Sequence, residues 1–336
     1  MTNLTNVLKQ RRMEVALIVI IVGYSFVVSM INPTFFSLST VGDILRNGSP
    51  MATVAVGVTL IMLAGGIDVS FPAVAITSGY CAVRLSVALS LDSLLFIFLV
   101  AFVVAVLLEL VNAILVHWTK LPTFIITLGT SSVFYGAATT IIGTKPVTLS
   151  ELPTSLIGFG TWNIWSTEVN GQSVGIPGVV LVPLAAFVAG WLVLSKTTLG
   201  LSVYALGNSE ECVRRAGISP LSIRLFLYPF MGVLAASMSI VSFANLRFVD
   251  PTSLMGTELL VIAAVVIGGT RATGGAGSLL GTFLGVMLIQ LLSGTLVFLG
   301  IPSAWNNLFI GVIMLIAVCF IYFNEKRSKL RVLDFS

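Results

Sequence analysis

Residues 207–220 read Gly207-Asn208-Ser209-Glu210-Glu211-Cys212-Val213-Arg214-Arg215-Ala216-Gly217-Ile218-Ser219-Pro220, placing four charges within six positions of a chain that is charged at only 9% of its residues. The stretch has the marks of a short, self-contained helix. Asn208 can cap its start and Glu211, three residues on, can reach back, which is the spacing of a capping box. Glu210 and Glu211 then lie at the positive end of the helix dipole, and Arg214 and Arg215 at the negative end. Gly217 suits a left-handed cap and Pro220 blocks continuation. A polar helix over 208–217, set between oily neighbours, is expected to be met by another protein.

Those neighbours decide the class. Of 336 residues, 57% are hydrophobic, and the mean hydropathy is +1.08. Soluble domains carry roughly 25% charged residues, so this composition describes an all-α polytopic membrane protein. The net charge of +4 is read through its location, not as a nucleic-acid footprint. A hydrocarbon core about 30 Å thick needs roughly 20 helical residues. Ten segments qualify: 15–32, 47–66, 70–90, 93–117, 122–142, 177–195, 223–244, 257–270, 278–299 and 303–323. They make one transmembrane domain over 15–323, between an N-terminal tail (1–14) and a basic C-terminal tail (324–336), with the longest connection at 143–176.

Charge sets the orientation. With the N-terminus inside, thirteen of the 17 Lys and Arg are cytoplasmic: Lys9, Arg11, Arg12, Lys120, Lys196, Arg214, Arg215, Arg224, Arg271, Lys326, Arg327, Lys329 and Arg331. The other four, Arg46, Arg84, Lys145 and Arg247, fall outside or near outer helix ends. That bias follows the positive-inside rule. It puts both termini and the polar helix in the cytoplasm and the 143–176 loop outside, where Trp162 and Trp165 read as interface anchors.

Two glycine-rich breaks interrupt the spans, Gly65-Gly66-Ile67-Asp68-Val69-Ser70 and Gly268-Gly269-Thr270-Arg271-Ala272-Thr273-Gly274-Gly275-Ala276-Gly277-Ser278. They serve either close packing or a moving, solute-lining segment. Gly281 with Gly285, and Gly232 with Ala236, are read as packing faces only. Catalytic chemistry finds nothing to work with: one histidine, His117, three unpaired-looking cysteines, and no converging nucleophile and base. No metal and no cofactor are expected. No Walker A loop is present, so any ATP must be bound by another chain. Glu109 and Arg84 are the candidate intramembrane charges, which leaves a stand-alone ion-coupled transporter using Glu109, Asp68 or Arg84 as the competing reading.

Four stretches in this order resemble the permease subunits of the ribose-type branch of ABC sugar importers, whose members take up ribose, xylose, arabinose, galactose-like sugars and the sugar-derived autoinducer. They are Gly65 to Ser70; Asn112 followed by Lys120-Leu121-Pro122-Thr123-Phe124-Ile125-Ile126-Thr127-Leu128-Gly129-Thr130; Gly207-Asn208 leading to Ala216-Gly217-Ile218; and Gly268-Gly269 to Gly274-Gly275-Ala276-Gly277-Ser278. The chain departs from the family at Phe71-Pro72, where Val-Gly is common, and at Ala113, where Gly is common. The resemblance implies a subunit of the bacterial cytoplasmic membrane that pairs with a second copy or a sister permease. A dimer of cytoplasmic ATPases would dock on Asn208, Glu210, Glu211, Arg214, Arg215, Ala216, Gly217 and Ile218, making this the coupling helix. A periplasmic sugar-binding protein would cap the outside. Asn112, Thr127, Thr130, Ser131 and Phe134 are expected to line the solute path. The last four share one helix face by i, i+3, i+4, i+7 spacing, and the alternative is that their hydroxyls bond their own helix backbone.

Overall fold

The computed structural model describes residues 12–169 and 172–295, together with Trp305, Leu308, Gly311, Val312 and Leu315. Seven helical stretches in it are long and apolar enough to cross a membrane. They are α1 (Arg12–Ile31), α2 (Leu38–Leu63), α3 (Phe71–Ala88), α4 (Leu94–Thr119), α5 (Thr123–Ile141), α7 (Leu181–Lys196, extended backwards by a 3₁₀ turn at Gly178–Val180) and α10 (Pro220–Leu246). These correspond to the first seven expected segments. The second begins well before residue 47, because Ser37 takes extended dihedrals and accepts the Thr40 N–H at 3.3 Å, starting the helix at Leu38. The eighth segment forms α11 (Glu258–Ile267, 10 residues), under the length that spans a bilayer unaided, and the ninth forms α12, described over Leu279–Thr295 up to the last continuously described residue. The tenth segment, bar its isolated positions, and the two terminal tails before residue 12 and after 323 lie outside the described residues.

The helices α2, α3 and α10 form the centre, each with 72% of its apolar window buried, whereas α1 has 11% buried and α4 has 22%. Helix α4 shows how one sequence serves two environments. Ile97, Ala101, Ala105, Glu109, Asn112, Ala113 and Val116 are buried, while Leu95, Leu99, Val103 and Leu107 stand exposed on the opposite stripe. In water such a stripe would be a liability; in lipid it is solvation. Small residues set the crossings. A Cβ at Gly232 of α10 would lie 2.8 Å from the Ala105 carbonyl of α4, and Gly281 and Gly285 of α12 sit directly on the Gly268 and Ala264 carbonyls at and beside the end of α11. Both expected packing faces are therefore used as such. Pro72, one of the departures noted above, falls in the first turn of α3, where a missing N–H leaves nothing unsatisfied.

The long loop corrects the purely helical expectation. It contains a short helix, α6 (Thr154–Thr161), and an antiparallel hairpin of β1 (Asn163–Val169) and β2 (Gln172–Pro177). The cue was the Ile164-Trp165-Ser166-Thr167-Glu168-Val169 run leading to Asn170-Gly171, a dipeptide that favours two-residue hairpin links. Trp162 packs its indole against Gly178, where a Cβ would collide with it, and Trp165 is exposed.

Helix α6 begins after Pro153 and has no side-chain cap of its own; Asp92, from the link between α3 and α4, supplies one across the fold. Its carboxylate accepts the Thr154 N–H at 3.1 Å, the Ser155 N–H at 2.8 Å and the Thr154 hydroxyl. Hydrogen bonds from Ser155 and Thr154 hold the Asp92 carboxyl down at about 2. A depressed carboxylate stabilises above its unfolded value and loses that contribution as pH falls through the folded one. Pepsin cleavage within 154–161 should therefore rise several-fold as the pH is lowered from roughly 4 to roughly 2. Asp92→Ala should already show the faster cleavage at the upper end; equal rates for the variant and the wild type would remove the cap from the account.

Candidate functional site

The polar stretch forms two helices, α8 (Thr198–Asn208) and α9 (Glu210–Arg215). This corrects the capping assignment and the 208–217 boundary. Asn208 closes α8 in helical geometry and so cannot adopt the extended backbone of an N-cap. Ser209 does, with φ −163° and ψ 114°, and its hydroxyl accepts the Cys212 N–H at 3.3 Å. The far end agrees with the sequence: Gly217 has φ +78°, and Ile218 N–H returns to the Val213 carbonyl at 3.1 Å, the pattern of a Schellman close.

At the foot of α8 both glycine breaks converge. Gly275 N–H donates to the Leu63 carbonyl at 2.9 Å, joining the second break to the end of α2. Gly207 lies across this contact, where any Cβ would strike the Leu63 carbonyl and the Gly275 nitrogen. A Cβ on Gly274 would lie 2.7 Å from the Gly65 Cα, and Gly274 and Gly65 both hold left-handed backbone, at φ +89° and +82°. Asn208 lies against Gly275 and donates its amide to the Tyr204 carbonyl at 2.8 Å. The segment bearing the polar helix and the two interrupted segments therefore share one backbone-on-backbone junction.

Helix α9 turns Val213 inward, where it is buried, and leaves Glu211 and Arg215 on the outer side. Glu210 pairs with Arg214 at 2.7 Å and Glu211 with Arg215, both at i,i+4. Exposed pairs of this kind contribute at most about 0.5 kcal/mol each, so they shape the helix more than they anchor it. Anchoring comes from Arg224 on α10, which donates to Glu210 Oε2 at 2.7 Å and meets His117 Nδ1 of α4 at 3.1 Å. Partial burial pushes the Glu210 carboxyl up, but the hydrogen bonds from Arg214 and Arg224 outweigh it and hold the group below its ordinary value. A recess of about 630 Å³ opens beside the helix, lined by Gly65, Lys120, Pro122, Thr123, Arg214 and Arg224 among others.

The first break is stitched to α5 and α4 by side chains. Thr123 accepts the Ile67 N–H at 2.8 Å and Thr127 accepts the Val69 N–H at 3.2 Å, satisfying unwound backbone that lipid could not. Ser70 donates its N–H and hydroxyl to Asp68, and Asn112 bridges Ser70 and Glu109. Thr127, Thr130, Ser131 and Phe134 do share a face, and it is buried; Thr127 also bonds the Thr123 carbonyl and Thr130 the Thr127 carbonyl. The opposite face of α5, missed by sequence reasoning, carries exposed Gly129, Ser132 and Thr140 with half-buried Gly136, interspersed with exposed Ile125, Leu128 and Val133. The signal for it was the contrast with the middle of α4, whose exposed Leu95, Leu99, Val103, Leu107 and Val111 are all aliphatic.

A multi-spanning helical bundle, interrupted at two points that meet a polar helix, defines a membrane permease subunit. The comparisons agree. A family model described as branched-chain amino acid transport system / permease component matches residues 40–318. The ribose import permease protein RbsC of Haemophilus influenzae is 32% identical over 311 residues, 92% of each chain, and RbsC of Escherichia coli K12 is 31% identical over 93% of each. The autoinducer 2 import system permease protein LsrC of Yersinia pestis is 31% identical over 92% of this chain and 84% of its own. No solved structure matches. The chain belongs to the permease family of ribose-type ABC importers: it is a multi-pass transport subunit, not an enzyme, and works with a separate ATPase subunit and a substrate-binding protein.

Because the junction leaves no room for a side chain, Gly207→Ala should shift backbone at Leu63 or Gly275 and destabilise the protein by about 1–3 kcal/mol, the range for overpacking. Gly129→Ala, in open space on α5, should not. Equal melting midpoints for the two variants would show that the junction is not tight.

Proposed function

We propose that this chain forms, with a second copy or a sister permease, the path by which a neutral sugar or sugar-like solute crosses the bacterial cytoplasmic membrane by alternating access. In this reading both termini are cytoplasmic, a pair of ATPases seats on α9, and a periplasmic binding protein delivers the solute from outside. The observation that carries it is the junction at Gly207: whatever displaces α9 acts on Gly65 and Gly274 through backbone contact, with no flexible side chain between. The distribution of Lys and Arg supports the sidedness, because the junction, the recess and the charged loops all lie at the ends that the positive-inside rule assigns to the cytoplasm.

The solute class follows from α5. Helix Thr123–Ile141 carries no charged residue, and its exposed face offers glycines and hydroxyls among apolar side chains. An amino acid zwitterion would ask for fixed charges along its way, whereas a polyol is handled by transient hydroxyl contacts and small residues. The relatives named for ribose and autoinducer 2 import point the same way. In this reading Ser132 and Thr140 face the path, while Asn112, Thr127, Thr130, Ser131 and Phe134 border it from behind, holding α5 against the Gly65–Ser70 break as it moves. Gly65, Gly66, Asp68 and Ser70, with Gly268, Gly269, Gly274 and Gly275, are the gating turns.

Proteoliposomes holding the permease, its ATPase and its binding protein test the proposal. Uptake of the sugar should require all three and ATP; uptake by the permease alone under an ion gradient would overturn it. For α9, Arg215→Glu reverses an outward charge without touching the Arg224 anchor. It should leave insertion intact and lower transport-coupled ATP hydrolysis about tenfold, the scale of one lost ion pair at 1.4 kcal/mol. Unchanged coupling would remove α9 from the ATPase interface.

A further inference from the structure

The most deeply buried carboxyl groups of the described chain lie together and none of the transport argument uses their charge. Asp68, in the break between α2 and α3, is 2% exposed, and Glu109, on α4, is 0% exposed. One oxygen of each is accounted for: Asp68 Oδ1 accepts the Ser70 N–H at 2.7 Å and hydroxyl at 2.6 Å, and Glu109 Oε2 accepts from Asn112 Nδ2 at 3.0 Å. The other two, Asp68 Oδ2 and Glu109 Oε1, are buried and receive no donor, and a short bridge joins the two carboxyls: Asn112 donates to Glu109 and, at 2.8 Å, to the Ser70 hydroxyl that itself donates to Asp68. A second element points into the same place. A Cβ at Gly232 of α10 would lie 3.1 Å from Glu109 Cγ, and Tyr228, one turn earlier on the same helix, is 3% exposed with a hydroxyl that has no partner.

Among the described residues no cation faces the pair directly. From α10 the groups are Tyr228 and, nearer the helix end, Arg224, whose guanidinium is engaged by Glu210 and His117. From α4 they are Glu109 itself, Asn112 and, farther along, His117. The α3 and α5 sides contribute only hydroxyls, from Ser70, Thr123 and Thr127. Two ionised carboxyls separated by only the Ser70–Asn112 bridge and screened from water cannot both persist.

We propose that the cluster binds a single proton, held between Asp68 Oδ2 and Glu109 Oε1, and that this proton fastens the Gly65–Ser70 break to α4 and α10. One carboxyl donates it and the other accepts. The one remaining negative charge is met by Ser70, by Asn112 and by the Tyr228 hydroxyl, so every orphaned donor and carboxylate oxygen acquires a partner. Removing the proton leaves two like charges across the contact that holds the break in place, and the break separates from α4. The proton is thus a structural ligand, independent of which solute is carried.

The test uses the full-length protein in lipid nanodiscs. Infrared spectroscopy at neutral pH should show the C=O stretch of a protonated buried carboxyl, shifted in D₂O, and Glu109→Gln should abolish it. The wild-type melting midpoint should fall by several degrees as the pH is raised from neutral into the alkaline range and the shared proton is stripped. In Glu109→Gln the amide N–H permanently replaces the proton, and the midpoint should stay level over the same range, with Asp68→Asn behaving alike if the first variant does not fold. Replacing Na⁺ by choline at fixed pH should change nothing. Absence of the carboxyl band in the wild type would overturn the proposal, as would an equal pH slope in the wild type and the amide variants. A midpoint raised by Na⁺ in the wild type but not in Glu109→Gln would overturn it too, by showing a metal ion in the proton's place.

Discussion

A single backbone contact, Gly275 N–H to the Leu63 carbonyl at 2.9 Å with Gly207 laid across it, holds the interrupted parts of this membrane domain in register. Helices in a bilayer gain little from burying apolar side chains against one another, since lipid is as apolar as they are. What distinguishes one arrangement from another is then close approach and the satisfaction of backbone polar groups. Here three chain segments that are far apart in sequence come within backbone distance, and only glycine lets them. The recess beside α9 and the outward faces of Glu211 and Arg215 depend on that junction, because it fixes where α9 sits.

The same constraint governs the buried polar groups. Unwound backbone at Ile67 and Val69 would cost several kcal/mol if it met lipid. Instead Thr123 and Thr127 take it up, which is why one face of α5 is a row of hydroxyls and why that face is buried. Asp68, Ser70, Glu109, Asn112 and Tyr228 continue the row into the centre of the bundle. The break is therefore held by directional bonds instead of shape, an arrangement that can be released as a unit.

Much of this was legible beforehand. The seven long helices follow from runs of about 20 apolar residues, since nothing else in such a composition can satisfy its backbone across a bilayer. The polar helix stood out by charge, and its end at Gly217 was readable because left-handed backbone has few residues to choose from. Its start was misassigned by one residue: Asn208 and Ser209 are equally good caps in sequence, and the choice turned on α8 running through Asn208 to reach Gly275. The hairpin was missed because its strands are short and lie inside a loop already assigned to the interface. For α5, periodicity found the face with most hydroxyls but could not say that it points at Gly65–Ser70 instead of outward.

By itself, then, the sequence determined the class, the place of seven spans, the reliance on a separate ATPase and the family, because each depends on composition or on ordered local motifs. Only the tertiary structure decided that the two glycine breaks and Gly207 are one junction, that Asn112 ties the Asp68–Ser70 turn to Glu109, and which face of α5 is free. Those facts rest on contacts between segments 40 to more than 200 residues apart, such as Leu63 with Gly207 and Gly275, or Ser70 with Asn112. A chain read one residue at a time carries the capacity for such contacts in its glycines and hydroxyls, but not the identity of the partner, which is set when the helices pack.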